Sequence, residues 1–413
     1  MRERDRFIDG LRALAILGVV TGHWMVGALV ATPEGLRIDS PLRHLDGLHP
    51  VTWLLQMLGL FFLVGGYTSA QGLRRARARG ETDAQWVRRR LWRIGRPVIA
   101  ATTILAVALP LLGILGLGSA TARTTVVLFL QPLWFIGVYA VISALTPYAL
   151  RLDRRGGLRM VLAFAAAVAV VDVLRFGPDV EPAAVGYLSV LPAWFFAYQL
   201  GVAWSAGRVD RRVAAGLVAA GLAVSVLLLA VLEYPVSIVS VPGSARSNSN
   251  PPSLMVPALA AIQIGVVLLL RGPIERLLRR RRVWAVVTGL NLSAMSVFTW
   301  HQVALVGVSE LARRVGTLPG LGDAPVDAGW VAARFAWYPV LALVLAGIVV
   351  LVRRYEHPVK VPSGDRISGG TAYRNEVPTA RGSRARPGSP DRSRSRTRRP
   401  EPGPADRASA KSG

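Results

Sequence analysis

The sequence contains no cysteine. That absence excludes structural disulfides, thiolate metal sites, Fe–S clusters and a cysteine nucleophile, so a covalent intermediate would fall to another residue type. Acidic residues are also scarce: 24 Asp and Glu stand against 49 Lys and Arg, giving a formal net charge of +25. A balance this basic raises the question of nucleic-acid binding. The positive residues, however, sit between apolar segments or in the C-terminal tail, so they read first as membrane topology and no nucleic-acid partner is expected. The first apolar run lacks a small-residue cleavage site and is longer than a signal-peptide core, so it is expected to stay as a membrane helix. Neither an internal repeat nor an appended folded domain is visible.

What the chain has in quantity is apolar sequence. Of 413 residues 52% are hydrophobic and 18% charged, more apolar material than one soluble core of this size could hide. A bilayer core needs about twenty apolar residues at 1.5 Å of rise each. On that scale about ten candidate spans fall near 11–31, 51–71, 97–118, 126–149, 158–176, 184–206, 212–233, 254–271, 284–309 and 331–352. The fold class expected is all-α, a polytopic membrane protein in the cell membrane, surrounded by lipid. The loops carrying RRARARG with WVRRRLWR, RLDRRGGLR, RVDRR and IERLLRRRRV all fall on one side, which by the positive-inside rule puts both termini in the cytoplasm. The expected division is a membrane domain over 5–355 and a tail over 356–413. From about Val361 the tail is rich in Arg, Ser, Pro and Gly, a composition that cannot offset the entropy of folding and suits a basic end lying near anionic lipid.

An ionisable side chain inside hydrocarbon needs a partner or an aqueous cavity, so the few such residues carry the functional information. In RFIDGLRALAILGVVTGHWMVG, Arg12 and His23 are eleven residues apart. At about 100° per residue that returns His23 to nearly the same helix face, about 16 Å farther along. One reading makes this a functional face; the other has Arg12 snorkelling as a topology marker and His23 bonding a neighbouring helix. A second histidine, His301, lies in LNLSAMSVFTWHQVALVG beside Gln302 and after Asn291. Two intramembrane imidazoles suggest a polar interior suited to acid/base work near neutral pH, although these polar neighbours could equally form one interhelical network. Asp172 and Glu233 fall near helix ends, and His44, His49 and His357 in loops. The arginines at 88, 89, 90, 93 and 96 read either as topology alone or as the mouth for a phosphate-bearing molecule, which arginine's fork of donors recognises.

These segments, in order, resemble the membrane-bound acyltransferase family 3, many of whose members O-acylate surface sugars, lipids and small glycosides. FIDGLRALAILGVVTGHW resembles that family's opening helix, with an arginine, ten residues and a histidine. FFLVGGYTSA is similar to its second-helix motif, with Gly65, Gly66 and Tyr67 where many relatives have Ser-Gly-Phe. VRRRLWRIGRP, QPLWFIGVYAVISALTP and NLSAMSVFTWHQVALV resemble three later motifs, and the likeness covers roughly residues 5 to 355. The resemblance implies a stand-alone O-acyltransferase without an appended hydrolase-like domain. The implied donor is acyl-coenzyme A, acetyl-CoA above all, as a substrate rather than a resident cofactor; no metal is implied. The implied acceptor is a hydroxyl of a glycan, glycolipid or glycosylated natural product. His23 would be the base, and Arg12 would orient the donor. Arg88, Arg89 and Arg90 would hold coenzyme A phosphates, and Trp134 would sit near the acceptor. His301, Gln302 and Asn291 would be acceptor-side or structural polar groups. The alternative reading of the same buried charges is a glycan or lipid transporter or flippase.

Overall fold

The computed structural model describes residues 5–176 and 183–356. Helix α1 (Arg6–Val26) is capped by Asp5, whose carboxylate accepts from the Phe7 and Ile8 amides, and it ends at Gly27. Expectation and structure part there. Residues 28–31, read from sequence as helical, begin strand β1 (Ala28–Thr32), which pairs antiparallel with β2 (Gly35–Asp39) in the register Ala28↔Asp39 to Thr32↔Gly35. Pro33 and Glu34 make the turn, and Gly35 takes a φ of +129°, which a side chain would resist. This hairpin is the one sheet among the described residues of an otherwise mainly helical architecture.

After a short turn of helix, α2 (Thr52–Leu55), come α3 (Leu58–Ala78) and α4 (Asp83–Ile114). A capping box between Thr82 and Gln85 starts α4. The arginine run is therefore the opening turns of one 32-residue helix and not a loop leading into it. Helices α5 (Ser119–Leu130) and α6 (Leu133–Ala144) follow, then α7 (Thr146–Gly156), α8 (Leu158–Phe176), α9 (Val190–Ser205) and α10 (Arg211–Ala230). The last five are α11 (Met255–Leu269), α12 (Arg271–Leu278), α13 (Arg281–Leu292), α14 (Ala294–Val315) and α15 (Ala328–Glu356).

Among the described residues six helical segments are long and apolar enough to cross a bilayer, or nine if each of three bent pairs counts as one span. The protein is a polytopic helical membrane protein. Helix α1 is not among the six, because Arg6, Asp9, Arg12 and His23 dilute its apolar content. The expected single span over 284–309 is instead two helices, α13 and α14, bent by 83° at Ser293. The cause is local: Ser293 Oγ donates back to the Gly289 carbonyl and the Asn291 amide donates to that of Val287, so side chains compete with the helix ladder at the break. Around the bundle Leu111, Ile114, Val173, Leu343 and Leu351 point outward exposed, as a lipid-facing surface requires.

Helices α3 and α9 pack so closely that a Cβ at Gly66 would collide with the Tyr198 backbone, and one at Gly201 with that of Leu63. Small residues are what allow such an approach between membrane helices. Beside this seam lie Phe62, Phe135, Trp194 and Tyr198, all buried. Helix α1 runs along α3 and is fixed at its far end by α15, where the Tyr338 hydroxyl donates to the Thr21 carbonyl at 2.8 Å. The tail expected over 356–413 lies, but for the last helical position at 356, outside the described residues.

Candidate active site

Helix α1 carries Arg12 to one cavity and His23 to another. The first, about 490 Å³, is lined by Arg12, Arg75, Arg89, Arg90 and Arg93 together with Tyr139 and Asn291. The second, about 340 Å³, is lined by His23 with uncharged polar groups such as Gln56, Gln131, Ser240 and Asn250, and with Trp134 and Trp194. Their walls come from opposite ends of the same helices: Arg12 and His23 on α1, Arg75 and Leu58 on α3.

The two histidines meet. His23 Nδ1 lies 2.8 Å from His301 Nε2, with the rings stacked at 26° and centroids 5.0 Å apart. His301 Nδ1 lies 2.8 Å from the Phe298 carbonyl oxygen. That oxygen can only accept, so His301 Nδ1 carries the hydrogen and, with both rings neutral, His301 Nε2 is the acceptor. His23 must then donate through Nδ1, and its Nε2 is left as the unprotonated, basic nitrogen. His301 is fully buried, whereas His23 is half-buried and faces the cavity. Trp24 locks the arrangement by donating from Nε1 to the His301 carbonyl at 2.9 Å. A group positioned in this way can accept a proton from a hydroxyl in the cavity and pass positive charge toward a second imidazole.

At the other end Arg12 is 3.9 Å from Asp9, and Asn291 donates to the Asp9 carbonyl at 2.8 Å. Arg90 donates to the Tyr139 hydroxyl at 2.8 Å. Arg89 pairs with Glu81, which also accepts from Arg79; these hydrogen bonds hold the Glu81 carboxyl below the usual carboxylate range. The remaining guanidiniums form a concentrated field at a cavity mouth, which suits a polyanion.

Of the residues singled out in the sequence, Arg12, Arg89 and Arg90 share one cavity, while Arg88 is exposed and is not among its lining. Asn291 belongs to the arginine cavity and not to that of His23. Gln302 is buried next to His301 and lines neither, its Oε1 without a hydrogen-bond partner. Trp134 lines the His23 cavity. Asp172 is buried and accepts from the Tyr234 hydroxyl and the Leu254 amide, tying α8 to the segment before α11. Sequence reasoning did not single out Gln56, Gln131 and Tyr139; uncharged amides and a tyrosine in apolar runs carry no signal apart from ordinary packing.

No curated protein and no solved structure matches the chain. The family model described as an acyltransferase domain matches residues 5–353, nearly the whole of the helical bundle. The chain therefore belongs to acyltransferase family 3, the family of membrane acyltransferase domains.

Proposed function

We propose that the protein is a cell-membrane O-acyltransferase that moves a short acyl group, acetyl in the simplest case, from acyl-coenzyme A to a hydroxyl of a glycan, glycolipid or glycosylated natural product. The observation that carries this reading is the pairing on α1 of an arginine-lined cavity at one end with a basic imidazole at the other, in a cavity of uncharged polar and apolar groups. The basic clusters support a topology of ten crossings, counting α1, with both termini and the arginine cavity cytoplasmic. Residues 5–355 form the catalytic membrane domain and residues 356–413 a basic tail near anionic lipid.

Donor phosphates rest on Arg89 and Arg90 while Arg12, on α1 in the same cavity, orients the polar arm of the donor. Arg88 contributes only to the positive field at the mouth. The acceptor lies among uncharged hydrogen-bonding groups and the tryptophans Trp134 and Trp194, a lining suited to a neutral polyhydroxylated molecule. Its hydroxyl gives its proton to His23 Nε2 as the oxygen attacks the thioester carbonyl. The new C–O bond forms, the C–S bond breaks, and the proton held on His23 goes to the departing thiolate. The positive charge on His23 meanwhile is stabilised through Nδ1–H by His301 Nε2, a role that makes His301 a positioning residue. Asn291 holds the start of α1 at the donor side, and Gln302 is a structural neighbour of His301. No acyl-enzyme is needed.

Mass spectrometry of envelope glycans and secreted metabolites from cells with and without the gene tests the reading. A mass difference of one acyl group, present only with the gene, is expected and would identify donor chain and acceptor together. Uptake of a glycan or lipid by proteoliposomes with no acylated product anywhere would replace the reading with that of a transporter.

A further inference from the structure

The two cavities share two walls. Phe135 and Phe298 line both, and no other residue is common to the two linings. Both side chains are buried, with ring centroids 5.3 Å apart and tilted by 40°. Phe61, on the arginine side, closes the cluster at 5.2 Å from Phe135 and 6.5 Å from Phe298. Phe298 is also tied to the reacting end: its carbonyl accepts from His301 and its ring lies 6.0 Å from that imidazole. Phe135 and Phe298 therefore present a surface to each cavity and stand between the two.

Acyl transfer between these cavities requires the thioester carbon to come within reach of a hydroxyl beside His23, while water and ions must not follow it through the bilayer. We propose that Phe135 and Phe298 form a gate: their rings seal the two cavities from one another when no donor is bound, and the acyl end of the donor reaches His23 by displacing them. The inference rests on the acyltransferase reading for the identity of what passes, but the seal itself is a property of the empty protein. A gate made of side chains opens and closes by rotamer change, without movement of a helix. The gate also protects the donor. With the rings in place, the thioester in the arginine cavity is kept from the water beside His23.

The full chain in sealed liposomes loaded with a pH-sensitive dye gives two independent readings. Dissipation of an imposed pH gradient reports the seal. Acceptor-independent release of coenzyme A reports hydrolysis, in which a water oxygen bonds the acyl carbon, the C–S bond breaks and free acid and thiol leave. Because the chain has no cysteine, a thiol-reactive chromogen reads released coenzyme A with no protein background. Phe135→Ala and Phe298→Ala, on different helices, are each expected to speed gradient loss and to raise acceptor-independent hydrolysis about tenfold relative to wild type, as water gains access to the thioester. Phe298→Trp, which thickens the partition, is expected to slow transfer while the liposomes stay tight. Alanine variants that hold the gradient and hydrolyse no faster than wild type would overturn the gate. Absence of acyl transfer by the wild-type protein would instead overturn the acyltransferase reading, and the gradient measurement would still judge the seal.

Discussion

Replacing His301 by phenylalanine keeps a flat ring in the same buried space but removes the atom that accepts from His23 Nδ1 at 2.8 Å. Two effects follow. The neutral His23 loses the partner that selects its Nδ1–H tautomer, a neutral hydrogen bond contributing about 1 kcal/mol net. In the transition state, where His23 carries the proton, the lost bond is charge-assisted and contributes about 1.5–3 kcal/mol. The difference between the two, about 0.5–2 kcal/mol, is what kcat reads, so at about 1.4 kcal/mol per factor of ten kcat should fall roughly 2- to 30-fold. Acceptor KM should change little, since His301 lies behind His23 and does not line the cavity. Glutamine offers an oxygen near the position of Nε2, so His301→Gln should recover a substantial part of the loss. The assay is steady-state transfer of labelled acetyl from coenzyme A by purified protein, with the melting midpoint of each variant measured alongside. Wild-type kcat in His301→Phe, or a glutamine variant no better than phenylalanine at equal stability, would refute the assignment of tautomer and role.

Other perturbations separate the parts of the site. Arg12→Ala should raise the KM for the acyl donor about tenfold with a smaller effect on kcat, and Arg12→Lys should recover part of it, as measured by donor titration. Glu81→Gln releases Arg89 from its ion pair and should strengthen donor binding; binding of coenzyme A in a direct titration should tighten and should lose more affinity with added salt than in wild type. Trp24→Phe removes the indole donor to the His301 carbonyl and should cost about 1 kcal/mol of stability, read from the thermal midpoint, together with a fall in kcat. Gly66→Ala places a methyl group against the Tyr198 backbone, an overpacking that should cost about 1–3 kcal/mol and reduce the yield of folded protein.

The bundle was legible because apolar runs of bilayer length are written continuously in the sequence, and the Arg12–His23 relation because helical geometry follows from spacing alone. The meeting of His23 with His301 was not, since 278 residues separate them and one sequence contains no signal of which helices touch. The break at Ser293 escaped for a different reason. Hydropathy averages over 284–309, whereas the bend depends on two side-chain hydrogen bonds at Asn291 and Ser293. That bend is consequential, because it sends Asn291 to the arginine cavity and His301 to the other side. The hairpin after α1 was hidden by an apolar stretch short enough to pass for the end of a helix; its strand identity is set by Gly35 and by docking of Leu36 on Thr121 and Thr124 of α5. Phe135 and Phe298 look like ordinary core residues until the cavities on their two sides are seen together.

The central claim is that His23 is the base for acyl transfer across the bundle. Its most direct test is transfer of isotopically labelled acetyl from coenzyme A to hydroxyl acceptors by purified wild-type and His23→Ala protein, with the product identified by mass spectrometry. The account predicts O-acetylated product from wild type and a loss of at least about 100-fold in His23→Ala, with coenzyme A binding retained because the arginine cavity is untouched. Equal transfer by the two proteins would contradict it.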